Sequence, residues 1–445
     1  MDTPIVKFVE DYKNSGIARF HMPGHKGVSF FGIEALDITE IQGADDLSCP
    51  EGIILKSEEN AAGLFGTCRT LYSTGGSTQS IHAMLYLVYL RAEGEDPWIL
   101  AGRNAHKAFI YAAAKLGFRV KWLYPEKQNG ICGCDISEKG LEQAILEEEN
   151  RPFAVYITSP DYLGGVADIS ALSKICKKYQ IPLLVDNAHG AYSAFVEPSF
   201  HPIHLGADMC CDSAHKTLPC LTGTGYLHIA EGDKYGFSSQ AVHAMCMFGS
   251  TSPSYLLMQS LDLCNVYLAE QIKEDLKSLA SKVGNVVSCM EALGIPNHSK
   301  EPTKITADLR SFDLSREEIS AHFRSFGLEF EYADGEFVVF MASPQNGDRD
   351  FEKLKEAFAA LPLKKRTDSA VPSLIPRGKQ VMSIRKAVFS PMEEIPVDAA
   401  LGRICAAPTV SCPPAIPIAV SGEEIGEAHM ALFRHYGMER VWVVK

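Results

Sequence analysis

The sequence lacks several features that would each assign it to a class. No stretch supplies the roughly 18 consecutive apolar residues of a membrane-spanning helix, so no membrane association of that kind is expected. Lysines and arginines form no block, and 42 basic against 55 acidic side chains leave a formal charge of −13. A counterion-releasing grip on nucleic acid needs clustered cations, so nucleic-acid binding is not expected either. Neither a Walker loop nor a Rossmann glycine fingerprint occurs. Cys132-Gly133-Cys134 has no second Cys or His pair at finger-like spacing, and no metal site is read from it. The opening MDTPIVKFVEDYKNSG mixes charges with its apolar residues, unlike a secretory leader. Thirteen cysteines, an odd number in a large chain, point to free thiols in a reducing cytoplasm.

What is present is a folded, multidomain composition. The 445 residues are about three times a usual domain, and 46% hydrophobic with 22% charged residues is ordinary for globular chains. Over the first 290 or so residues, short β-rich runs alternate with helical stretches, which predicts an α/β domain with a largely parallel sheet. Residues 154–158 form one apolar run. Residues 181–185 form another that ends on Asp186, and 207–211 a third that leads into Asp212-Ser213-Ala214-His215-Lys216. In parallel sheets ligands bind beyond the carboxyl ends of the strands, so 186–189 and 213–216 are where a site is expected. A long helix is predicted over 251–287. Strands are predicted at 303–309, 328–332 and 337–341, with a helix over 315–326 and a turn at the Asp334-Gly335 step. Residues 363–368, Leu-Lys-Lys-Arg-Thr-Asp, read as a solvated linker before a Pro-rich end.

Four features carry chemistry. Lys216 follows a strand amid small and apolar neighbours, where desolvation would favour the neutral amine that a Schiff base requires. Asp186 closes a buried strand thirty residues earlier, and a buried carboxylate needs a cationic partner. A protonated pyridine nitrogen is such a partner. Tyr72 to Thr78, with Gly75, Gly76, Ser77 and Thr78, leads into a helix and offers amides and hydroxyls to a phosphate. His106, in Asn104-Ala105-His106-Lys107, could stack on a cofactor ring. Each is weak alone: a strand-end Asp also caps helices, and a Gly-Gly-Ser-Thr turn is often only a turn. In this chain order they match fold type I enzymes that use pyridoxal 5'-phosphate.

The sequence resembles the bacterial ornithine/lysine/arginine decarboxylases of that fold type. The resemblance rests on His21-Met22-Pro23-Gly24-His25-Lys26-Gly27, Asp37 to Glu40 with Asp45-Asp46-Leu47, Gly75 to Thr78, Asn104 to Lys107, Asp186 to Gly190, Ser213 to Leu218, and Thr251 to Tyr255. Arg385-Lys386-Ala387, Gly402-Arg403-Ile404 and Cys412-Pro413-Pro414 extend it through most of the chain. It implies Lys216 as the Schiff-base lysine, Asp186 on the pyridine nitrogen, His106 stacked on the ring and Ala188 on its opposite face, with His189 also among the cofactor-binding residues. Gly76, Ser77, Thr78, Ser213 and His215 would bind the phosphate, and Thr251 with Ser252 would reach a phosphate across a homodimer interface. Departures are Asn187 where an acid is expected, Asp161 where Thr is commoner, and Ala415 where glycine is expected. The resemblance is to the shorter variety without an N-terminal wing domain, for which no decamer is expected.

Residues 1–30 are thus read as an arm, 31–290 as the cofactor domain, 291–362 as a smaller α/β domain and 363–445 as a C-terminal region. The expected reaction is decarboxylation of a basic amino acid, arginine first, toward polyamines, with Lys216 or His215 returning a proton to the α-carbon. An aminotransferase or lyase reaction on the same cofactor, or an inactive regulatory homologue, are the alternatives.

Overall fold

A computed structural model describes residues 1–92, 96–126, 130–133, 135–367, 375–410 and 415–445. Seven strands, β1 (Thr67–Ser73), β2 (Trp98–Gly102), β3 (Arg119–Leu123), β4 (Ala154–Thr158), β5 (Leu183–Asp186), β6 (Met209–Asp212) and β7 (Gly225–Ala230), form one sheet in the order β1-β7-β6-β5-β4-β2-β3. β2 pairs parallel with β3 and β5 with β6, whereas β7 runs antiparallel to both β1 and β6. β2, β5 and β6 are buried along their whole length, as continuous apolar runs in parallel sheets require. β5 starts two residues later than the apolar run. Pro182 has no N–H to give the ladder, and its carbonyl instead accepts from Val155.

The chain divides into two compact units that are discontinuous in sequence: Met1–Ala92 with Phe153–Val155 and Ile169–Glu274, and Glu93–Pro152 with Tyr156–Asp168 and Asp275–Lys445. In the first unit, α1 (Pro4–Asn14) begins with proline at its first turn, where the missing N–H costs nothing, and the amides of Ile5 and Val6 donate to Asp262. α2 (Ile53–Phe65) stops at Gly66, which takes the left-handed conformation that glycine enters freely. α3 (Gly76–Tyr89) follows the glycine pair. The long helix expected over 251–287 is two helices, Tyr255–Glu270 and Ile272–Ala292, broken where Gln271 leaves helical geometry (φ −128°, ψ −36°).

In the second unit α4 (Lys107–Leu116) is capped by His106. β8 (Lys304–Asp308), β9 (Tyr332–Ala333) and β10 (Phe337–Met341) form an antiparallel sheet in the order β8-β10-β9. The Asp334 carboxylate accepts from Glu336 and Phe337 amides at 2.7 Å, which fixes the predicted turn, but 328–331 do not join the strand. The expected linker is not merely solvated. Its Lys364 carbonyl accepts from Asp313, and Arg366 donates to Ser311, because exposed side chains do not relieve the backbone of its need for partners. At the end of β2, Arg103 is 1% exposed and donates to the carbonyls of Pro417 and Ile418 at 2.7 and 2.9 Å, with Glu423 at 3.8 Å. Lys107 donates its amide to Ala415. Ala415 sits at φ 58°, a conformation glycine adopts at lower cost, which is the physical sense of the glycine expected there.

Candidate active site

In the first unit, the site begins with register. Asp186 of β5 pairs with Cys211 of β6, so their side chains share one face and Asp212 takes the other. Asp186 is 2% exposed and accepts from the Ala188 amide at 3.2 Å and the Cys211 thiol at 3.6 Å. β6 then turns directly into the single turn Ala214–Thr217, which carries Lys216 beyond the strand end. Lys216 Nζ lies 2.9 Å from His189 Nε2. Lys216 is exposed, so the desolvation expected from its small neighbours is not realised. The turn presents the side chain at the sheet's open carboxyl edge rather than into the core.

The glycine turn closes against the same strand ends. Ser213 Oγ donates to Ser77 Oγ at 2.9 Å, and Gly76 donates its amide to the Gly223 carbonyl at 2.7 Å. A Cβ on Gly225 would fall 2.7 Å from the Asp212 carbonyl and 3.2 Å from the Ser77 nitrogen, so only glycine lets the turn seat. His215 donates from Nδ1 to the Thr224 carbonyl at 2.7 Å, and a Cβ on Gly76 would stand 3.7 Å from its Cε1. Partial burial holds the His215 pKa below its ordinary 6.5, which leaves it neutral at pH 7. Two serine hydroxyls and the start of α3 therefore lie together, with the His215 imidazole alongside and its one proton committed to Thr224. This donor set fits a phosphate, and a sealed acid with a lysine beyond it fits the ring of a pyridoxal group.

The other expected residues are distributed as follows. Ala188 and His189 are buried beside Asp186, whereas Thr78, Thr251 and Ser252 are exposed. His106 belongs to the second unit, where its Nδ1 accepts from the Ala108 amide at 3.1 Å. Cys134 lies outside the described residues, and its neighbour Cys132 is buried.

Comparison with known proteins decides the family. The description "Orn/Lys/Arg decarboxylase, major domain" matches residues 3–288, and "Orn/Lys/Arg decarboxylase, C-terminal domain" matches 372–442. The chain belongs to the Orn/Lys/Arg decarboxylase family. It is an amino acid decarboxylase that depends on pyridoxal phosphate. It is 28% identical to an arginine decarboxylase of Bacillus subtilis over 460 residues, covering 97% of this chain and 92% of that one. It is 29% identical to an arginine decarboxylase of Bacillus anthracis with the same coverage. The fold is that of lysine decarboxylases from Francisella novicida (TM-score 0.80, 15% identity, 100% of this chain and 81% of that one) and Escherichia coli (0.78, 16%, 100% and 82%).

Two features of this decarboxylase escape sequence reasoning. His189, read only as a cofactor neighbour, is the imidazole that meets Lys216, while His215 is turned to Thr224. Asn187 and Asp212 join through a 2.7 Å hydrogen bond on the opposite face. Strand periodicity carries a hint of the second alone, since Asp186 and Asn187 must face opposite ways.

Proposed function

We propose that this decarboxylase acts on a basic L-amino acid, arginine before lysine or ornithine, and releases carbon dioxide and the corresponding amine for polyamine synthesis. The observation that carries the reading is the convergence of Asp186, Lys216, His189 and the Ser77–Ser213–His215 cup at the ends of β5 and β6 in one unit. The family description names the three basic substrates, and relatives matching almost the whole chain are named for arginine.

Pyridoxal phosphate, when bound, supplies an electron sink for the pair left by the departing carboxylate. The chain's residues do the rest. Ser77, Thr78 and Ser213 would hold the phosphate beside His215, and Asp186 would face the ring nitrogen as its anionic partner. Lys216 would supply the amine that attaches the group. His189, at hydrogen-bond distance from Nζ, would take or return a proton there.

The reading includes a homodimer. Phe20, Phe30 and Phe31 are 96%, 79% and 91% exposed, and solvent-facing aromatics so close in sequence suit a covered surface. It also includes the cytoplasm, since none of the eleven cysteines among the described residues is in a disulfide. The test is a panel of amino acids incubated with purified protein and pyridoxal phosphate, with amine and carbon dioxide both measured. Amine from arginine above lysine and ornithine is the expected result. Activity confined to neutral or acidic amino acids overturns the substrate class, and keto acid without carbon dioxide overturns the reaction.

A further inference from the structure

The far face of the same strands carries a second constellation that the proposed chemistry does not use. Cys210 pairs with His228 and Asp212 with Tyr226 across β6 and β7, so these side chains point to one side of the sheet. Asp212 is fully buried. Its Oδ1 accepts from Asn187 Nδ2 at 2.7 Å, and its Oδ2 accepts from Nε2 of His201 and of His228, each at 3.2 Å. His228 is held in turn by the Thr70 hydroxyl, 2.8 Å from Nδ1, and Thr70 by Thr67. One carboxylate therefore ties the residue after β5, the loop carrying His201, the end of β6 and β7. Two of those segments carry Asp186 and Lys216.

The pairing is directional. An acid at 187 would set carboxylate against carboxylate at the 2.7 Å now spanned by a hydrogen bond, in a place sealed from water. The amide removes that conflict and leaves the single charge at 212, where two imidazole N–H groups complete its shell. We propose that Asn187 and Asp212 form a matched amide–carboxylate pair that positions the strand ends bearing Asp186 and Lys216, and that neither side chain can be exchanged alone. Asp212 and Asn187 act through those residues and are positioning residues. The inference rests on the reading of Asp186 and Lys216 as the cofactor's partners.

The exchange itself is the test. Asn187→Asp, Asp212→Asn and the double variant are compared in cofactor affinity, followed by visible absorbance, and in thermal midpoint. Asn187→Asp is expected to weaken cofactor binding about tenfold or more and Asp212→Asn by less. The double variant, with acid and amide transposed and an amide oxygen still facing both imidazoles, is expected to return to within about threefold of the parent. A double variant that carries the product of the two single losses overturns the proposal. If Asn187→Asp yields no soluble protein, the comparison of Asp212→Asn with the double decides: recovery supports the pair, and equal or greater loss overturns it. His201, Cys210 and Asp212 also offer ligand atoms within 4.8 Å of one another, so one equivalent of tightly bound zinc in the parent protein would overturn the hydrogen-bonded pair in favour of a metal site. Visible absorbance that survives Lys216→Ala would instead overturn the role of Lys216, while rescue of the thermal midpoint would still report on the pair.

Discussion

On one face of β5 and β6, Asp186 stands at the strand end beside a lysine that reaches solvent. On the other, Asp212 is shut in with two imidazoles and an amide. The two acids are on adjacent strands and are equally withdrawn from water, at 2% and 0% exposure. The difference lies in what completes them. Asp212 has three protein donors, brought to it by the residue after β5, a loop and β7, whereas the groups around Asp186 lie at the open carboxyl edge, where Lys216 can exchange partners. The role proposed for Lys216 needs that freedom, and a rigid reverse face would let the strand ends keep their places while the front changes partners.

Breaking the front should remove chemistry and spare the fold. Lys216→Ala is expected to abolish the cofactor's visible absorbance and lower kcat by about 10⁴-fold or more. Because Lys216 is exposed, the thermal midpoint of the cofactor-free protein should move by less than about 2 °C. A large drop in that midpoint would erase the division between the faces. His189→Gln should retain the absorbance, lower kcat by about 10²-fold and displace a limb of the kcat pH profile. An unchanged pH profile would leave the proton step to Lys216 alone.

Breaking the reverse face should do the opposite. Asp212→Ala strips the acceptor from Asn187, His201 and His228 at once, and is expected to cost about 3 kcal/mol in the denaturant midpoint at unchanged slope. A cost below about 1 kcal/mol would show that the network is not a structural tie. Burial alone would raise the Asp212 pKa, but the donors of His201 and His228 hold it well below its ordinary 3.8. Burial also lowers the pKa of His201, so the ionised acid is matched by a neutral imidazole there. A lowered carboxylate contributes stability that is fully present above its unfolded pKa and is lost as pH falls through the folded one. Unfolding free energy should therefore decline below about pH 4, and the decline should be shallower in Asp212→Asn.

The sequence pattern exposed the front more readily than the back. Strand runs ending on Asp186 and before Ser213 were legible because apolar continuity and a polar stop are local. Gly75-Gly76-Ser77 was legible only in company with the strand ends, since a glycine turn leading into a helix is often no more than a turn. The environment of Lys216 was not, since exposure depends on how the turn after β6 projects it, and apolar neighbours in sequence do not enclose it in space. Asp212 read as one more polar residue in the run before Lys216. Its importance arises from His201, eleven residues upstream, and His228, sixteen downstream, partners that only strand order brings together. The break at Gln271 likewise falls inside a sequence of good helix formers.

Glu58 sharpens the contrast from within the same unit. It is 2% exposed, yet among the described residues its carboxyl receives one hydrogen bond, from the Tyr72 amide at 2.9 Å, with Arg69 at 3.8 Å. Burial therefore wins and pushes its pKa up to about 8, so Glu58 is largely protonated at pH 7 where Asp212 is ionised. Three donors against one backbone donor, at similar burial, account for the opposite outcomes. The pH dependence has the opposite sign as well. A raised carboxyl contributes stability that is present below its unfolded value near 4.5 and is lost as pH rises toward about 8. Glu58→Gln keeps an oxygen for the Tyr72 amide and cannot ionise, so it should raise the thermal midpoint by roughly 3 °C at about pH 8 and by almost nothing at about pH 5, with kcat unchanged. A difference of equal size at both pH values would mean that packing, not ionisation, separates the two side chains.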